Sequence, residues 1–257
     1  MGQESVVQRL RAAGCVFAED EARLLIEAAG SAGELNGLVD RRTAGEPLEH
    51  VLGWAEFCGG RIAVDPGVFV PRRRTEFLVD AAVRFVRPGT RVVDLCCGSG
   101  AVGAALLAAV RGIELHAADI DPAAVACARR NLTAAGGRVY AGDLFDALPS
   151  ELAGRIDVVT ANVPYVPTDA VALMPPEARD HEARLALDGG PDGLAVLRRA
   201  ASAAPAWLTA GGHLLVETSD QQVPAAVDAF VRSGLGAEVA RSEELGATVI
   251  IGSLLRQ

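Results

Sequence analysis

Residues 92–107, VVDLCCGSGAVGAALL, decide the fold. Val92 and Val93 lead into Asp94 as a buried strand would, Gly98 and Gly100 turn the chain, and the alanine- and leucine-rich run from Ala101 to Ala109 reads as a helix. A strand, a glycine turn and a helix N-terminus in succession bring backbone N–H groups close to a ligand. The spacing is C-x-G-x-G at Cys96, Gly98 and Gly100, which is not the G-x-G-x-x-G of dinucleotide sites, and no G-K-[ST] of a phosphate loop follows. An adenosine ligand without a pyrophosphate fits this loop better.

Outward from the loop, strand-like runs alternate with helical ones. ELHAADI precedes Ala123 to Leu132, RVYAGD and DVVTAN follow, and GGHLLVE precedes Val223 to Ser233. Such alternation implies parallel strands joined by helical crossovers. Asp119 closes the second strand about 20 residues after the loop, where a carboxylate can accept both ribose hydroxyls, and Asp143 closes the third. Near the end, AEVARSEELGATVIIGSLL holds two strand-like runs without a helix between them, which predicts an antiparallel pair. Before the loop, Ser5 to Ala44 has apolar residues at helical spacing, and 47–70 has short β-like pieces with turn signals at Gly59-Gly60 and Asp65-Pro66-Gly67. The expected organisation is an α/β chain: a small N-terminal helical domain over 1–46, a β-hairpin linker over 47–74, and a doubly wound domain over 75–257.

Bulk properties narrow the function. The chain has 257 residues, half of them hydrophobic, and a formal charge of −9, which argues against a protein held to nucleic acid by phosphate contacts. The five cysteines include no C-x-x-C pair, so neither a disulfide framework nor a metal site is encoded. No apolar leader opens the chain and no run approaches the roughly 18 apolar residues of a membrane span. A reducing, cytoplasmic setting without membrane contact is expected; the oligomeric state is not legible.

The stretch DVVTANVPYVPTD, Asp157 to Asp169, breaks a strand with an amide, two prolines and a phenol. Proline cannot donate to a sheet ladder and fixes its own φ, so this break holds something in place. A carboxamide nitrogen is a poor nucleophile because its lone pair is delocalised. Two hydrogen-bond acceptors facing its N–H groups orient it and favour the positive charge that develops on methylation. Asn162 offers a side-chain oxygen and Val163 a backbone carbonyl, while Pro164 biases Val163 toward extended geometry and Tyr165 walls a planar group. No base is needed before transfer, in keeping with the absence of a histidine nearby; His181 and His213 read as surface or packing residues.

Five motifs in order then resemble the S-adenosylmethionine-dependent methyltransferases of the HemK/PrmC protein-(glutamine-N5) type: GEPLEHVLGWAEF (Gly45–Phe57), VFVPRRRTEFLVD, VVDLCCGSGAVG, TANVPYV and HEARLALDGGPDGL. The resemblance implies a Rossmann-like fold with a seven-stranded, mostly parallel sheet, an N-terminal domain that docks a protein, and a peptide chain release factor as the usual methyl acceptor. It implies S-adenosyl-L-methionine as cofactor and S-adenosyl-L-homocysteine as product. Phe69, Arg72 and Thr75 would lie near its methionine portion, and Asp94, Cys96, Cys97, Gly98, Ser99, Gly100, Asp119, Ile120, Asp143, Leu144 and Asn162 along the rest. Asp94 is expected to hold the loop amides. Glu182 and Asp192 match the last motif without a physical role to assign.

Three positions depart from that pattern. Cys96 replaces the first loop glycine, so its φ is expected to be one that a side chain tolerates. Arg73 and Arg74 replace a proline–acid pair and are expected to add positive charge near the methionine end. Val163 replaces the first proline of N-P-P-Y, which spares the carbonyl and changes the rigidity. Competing readings are a nucleic-acid amino-methyltransferase in which Tyr165 stacks on a flipped base, a cofactor-binding protein without catalysis, and a methyltransferase of a small metabolite.

Overall fold

The computed structural model describes Gly2–Leu255. Helices α1 (Gln3–Ala12), α2 (Ala18–Ala28), α3 (Ala32–Thr43) and the short α4 (Leu48–Leu52) close on one apolar cluster that includes Val6, Leu10, Leu25, Val39 and Val51. Ser31 caps α3 by accepting from the Glu34 amide. Gly53, at φ 79°, ends α4, and the chain enters the hairpin of β1 (Trp54–Phe57) and β2 (Gly60–Ala63). Cys58 and Gly59, both at positive φ, form its two-residue turn, the backbone that a right-twisted hairpin requires.

The remaining strands are β3 (Arg91–Leu95), β4 (Glu114–Asp119), β5 (Arg138–Ala141), β6 (Ile156–Ala161), β7 (Leu208–Thr218), β8 (Leu235–Ser242) and β9 (Ala247–Leu254). They form a seven-stranded sheet in the order β5-β4-β3-β6-β7-β9-β8. The strands from β3 to β7 pair in parallel, and β9 lies antiparallel to both β7 and β8, as the two terminal runs predict. Central strands are apolar on both faces because both faces are covered. Helices α5 (Glu76–Val83), α6 (Ala101–Ala109) and α7 (Pro122–Leu132) bury Leu78, Leu106 and Leu132 against one face. Helices α10 (Ala195–Trp207) and α11 (Val223–Arg232) bury Leu197, Ala201 and Phe230 against the other.

Between β6 and α10 lie the short helices α8 (Pro176–His181) and α9 (Arg184–Leu187). The registers Leu95↔Ala118, Leu95↔Ala161 and Ala161↔Val216 bring the C-terminal ends of β3, β4, β6 and β7 level with one another. The strand order reverses between β3 and β6, and at that switch the crossover loops part to leave a crevice.

Candidate active site

All of the residues expected to hold cofactor or acceptor, except Gly100, line one cavity in this crevice. Gly100 faces away: a Cβ there would fall 2.9 Å from Leu132 Cδ1, so glycine lets α6 start against α7. Cys96, Gly98 and Gly100, at φ 54°, 55° and 79°, are all left-handed. The expectation for Cys96 is therefore corrected, since it takes the backbone of the glycine it replaces and carries the strain of doing so.

This left-handed turn swings the loop toward β4, which corrects a second expectation. Asp119, not Asp94, holds the loop: its Oδ2 accepts from the Gly98 amide at 2.8 Å and its Oδ1 from the Asp121 amide at 2.9 Å. Asp94 instead accepts from the Gly103 amide in the first turn of α6 and from the Thr160 hydroxyl, each at 3.1 Å. Complete burial pushes the Asp94 carboxyl up to about 7, against the pull of those two donors. Burial also raises Asp119 and the thiols of Cys96 and Cys97, so both thiols stay protonated at neutral pH. Further along this wall Asp143 pairs with Arg199 at 2.5 Å, Leu144 takes φ 48°, and Ile120 is half exposed.

At the other end, Asn162 follows the last residue of β6 and its Nδ2 donates to Thr75 Oγ1 at 3.3 Å, which leaves Oδ1 free of that bond. Val163 is buried in the core as well as lining the cavity. Arg74 lies over the Tyr165 ring, 5.5 Å from its centroid, and donates to its hydroxyl. Burial pushes the Tyr165 phenol up to about 12, so it remains neutral.

For Arg74, the expected positive charge at the methionine end is also corrected, because a carboxylate pairs with it. The Arg72 guanidinium lies 4.8 Å from the Phe69 ring centroid and grips both Glu182 oxygens, at 2.6 and 2.7 Å. Arg74 Nε pairs with the buried Glu217 at 3.2 Å. Each cation beside the cavity thus has its own carboxylate.

Several residues that position Asn162–Tyr165 have roles that the sequence reading did not assign. Glu182 has a fully buried side chain that also accepts from the Val70 amide, tying the segment after β6 to the one before α5. A Cβ at Gly189 would fall 2.5 Å from the Pro164 carbonyl oxygen, and one at Gly193 would fall 2.2 Å from that of Tyr165. Gln222 Nε2 donates to the Tyr165 carbonyl at 2.9 Å and to that of Asp192 at 3.1 Å. The glycine-rich run 189–193 was the available signal: close backbone approach is what requires glycine. The His213 ring stacks on Phe85 with centroids 4.0 Å apart, away from the cavity lining.

Among the described residues no cluster of histidine, cysteine or acidic side chains could hold a metal ion, and no helix is long and apolar enough to cross a membrane. The donor set fits S-adenosylmethionine: a glycine turn at a helix N-terminus, carboxylates closing β4 and following β5, and an apolar wall of Phe69, Ile120 and Leu144. The model of the Methyltransferase small domain family matches residues 60–190. A release factor glutamine methyltransferase of Geobacter sulfurreducens is 39% identical over 200 residues, 77% of this chain and 69% of that protein. A 4-amino-L-phenylalanine/4-methylamino-L-phenylalanine methyltransferase of Streptomyces pristinaespiralis is 39% identical over 202 residues, 76% of this chain and 68% of that protein. In fold, a methyltransferase from Pyrococcus furiosus superposes with a TM-score of 0.59 at 16% identity, covering 84% of this chain and 97% of that one. Motifs, topology and relatives converge, and the chain belongs to the release factor glutamine methyltransferase family of S-adenosylmethionine-dependent enzymes.

Proposed function

We propose that this protein methylates the side-chain amide nitrogen, N5, of a glutamine exposed on a protein, with a peptide chain release factor met in the cytoplasm as the acceptor. Residues 1–46 would dock that protein, 47–74 would link, and 75–257 would carry the chemistry. The observation behind this reading is Asn162, held by Thr75 through its nitrogen at the open end of β6. Its free Oδ1 suits one acceptor N–H, and the Val163 carbonyl the other.

S-adenosylmethionine, when bound, supplies an electrophilic methyl group. Asp119 and the backbone of Cys96–Ser99 would hold its adenosine, and Phe69 and Arg72 would border its methionine portion. The chain's own contribution is orientation: two acceptors in a pocket sheltered from water face the N–H groups, localise the nitrogen lone pair and stabilise the charge that appears as the N–C bond forms. Each such acceptor contributes roughly 2–4 kcal/mol to the barrier. The proton lost afterwards is acidic and passes to solvent. Tyr165, neutral and flat, walls the amide plane.

Labelled S-adenosylmethionine incubated with the protein and a release factor should place the label on a glutamine located by mass spectrometry, and Asn162→Ala should abolish it. Label confined to RNA, or equal labelling by Asn162→Ala, would overturn this reading. Val163→Pro should retain transfer, because the acceptor atom is the backbone carbonyl. The Streptomyces pristinaespiralis relative favours one second reading, an aromatic amine on a small amino acid. Transfer to 4-amino-L-phenylalanine at a higher kcat/KM than to the release factor would establish it.

A further inference from the structure

Arg74 lines the cavity together with Asn162, Val163 and Tyr165, the residues that would hold the acceptor. Two contacts fix its guanidinium. Nε pairs with Glu217 at 3.2 Å, and Nη2 donates to the Tyr165 hydroxyl while the group lies 5.5 Å from the centroid of that ring. Tyr165 is held in turn by Gln222, which donates to its carbonyl at 2.9 Å. Nη1 makes no hydrogen bond among the described residues. A guanidinium carries five N–H groups in a flat fork. With Nε paired to Glu217 and one Nη2 hydrogen given to Tyr165, both hydrogens of Nη1 and the second of Nη2 remain, the set that grips a carboxylate through its two oxygens.

The ion pair is lopsided in its exposure. The Glu217 side chain is 3% exposed and does not line the cavity, whereas that of Arg74 is 46% exposed and does. At long range the two charges cancel. At contact the N–H fork is closer to an arriving group than the buried carboxylate is, so an anion is attracted there. Because Glu217 and Tyr165 order the fork beforehand, little side-chain freedom is left to lose when a ligand arrives. The neighbouring arginines differ: Arg72 already grips both oxygens of Glu182, and Arg73 lies exposed outside the cavity lining. We propose that Arg74 is a specificity-determining residue of the acceptor site, binding a carboxylate that the acceptor carries beside the N–H group to be methylated. Such a carboxylate is the side chain of an acidic residue flanking a glutamine in a protein, or the α-carboxylate of a free amino acid.

This role rests on the proposed methyl transfer for the place of the acceptor, and binding tests it without turnover. With S-adenosylhomocysteine present, calorimetry on the full chain compares two pairs of ligands that differ by one charge. One pair is the end-blocked peptides Gly-Gln-Asp and Gly-Gln-Asn; the other is 4-amino-L-phenylalanine and its α-carboxamide. The wild type should bind the carboxylate member of one pair at least about tenfold more tightly, and the pair that shows it tells a protein from a free amino acid. Arg74→Gln should bring that ratio to within about twofold, whereas Arg73→Gln, which removes the same charge outside the cavity lining, should leave it unchanged. Since Arg74→Gln strands the buried Glu217, the double variant Arg74→Gln with Glu217→Gln repeats the measurement in a chain without an unpaired charge. A ratio within about twofold for both pairs in the wild type would overturn the proposal, as would a ratio that survives in the double variant. If the labelled methyl passes to no acceptor while the ratio holds, the functional reading falls and the carboxylate site stands. If transfer proceeds with equal kcat/KM to the charged and neutral members of each pair, the functional reading stands and the site falls.

Discussion

At the residue scale, Cys96 is a side chain in a glycine's conformation, at φ 54°. Left-handed backbone costs a non-glycine residue roughly 1–2 kcal/mol. Cys96→Gly is therefore expected to raise the thermal midpoint by about 2–4 °C, measured by circular dichroism. Asp94 gives a pH signature. Its folded pKa, about 7, lies above the ordinary carboxylate value, so between about pH 4 and 7 the folded chain holds a proton that the unfolded chain has lost. This contribution to stability is full below that window and is lost as pH rises through it. Asp94→Asn should flatten that part of the stability profile, measured by urea unfolding across the window. The identity of Asp94 as the acid near the end of β3 was legible; its partners were not, because the left-handed loop passed the Gly98 amide to Asp119.

At the scale of elements, the segment between β6 and α10 shapes the clamp from behind. Gly193, at φ 74°, leaves no room for a Cβ beside the Tyr165 carbonyl and Gln222 Nε2. Gly193→Ala should cost at least about 2 kcal/mol and abolish methyl transfer, with S-adenosylmethionine affinity far less affected because the glycine loop lies at the other end. Gly136→Ala is the matched control: it is also left-handed, at φ 91°, but has nothing within 4 Å of the added carbon, so it should show the backbone penalty alone. Glycines 189 and 193 were readable as part of a loop, yet the carbonyls that demand them, of Pro164 and Tyr165, lie more than twenty residues upstream. The role of Glu182 went unassigned for the same reason: its partners, Arg72 and the Val70 amide, lie more than a hundred residues before it.

For the whole molecule, Arg42 joins the N-terminal helices to the segment that follows the clamp. It is buried, bonds Glu21 of α2 through Nε at 2.7 Å, and reaches Glu177 of α8 at 2.6 Å. Arg42→Ala leaves the Glu21 charge buried without its partner, a loss of about 3–5 kcal/mol. The double variant Arg42→Met with Glu21→Leu should recover most of it, since burying neither charge avoids the desolvation, and urea unfolding of both variants checks the pair.

By itself the sequence determined what depends on local pattern. Strand and helix order, the glycine turn and the N-V-P-Y break follow from periodicity and from the φ limits of glycine and proline, which act over a few residues. Tertiary structure alone decided the pairing of charges and donors: Arg72 with Glu182, Arg74 with Glu217, Asp119 with the loop amide, and Asn162 with Thr75. A hydrogen bond or ion pair is made by whichever groups the fold brings within about 3 Å. The chain order of residues 75, 162 and 217 carries no record that two strand ends and a helix start would lie side by side.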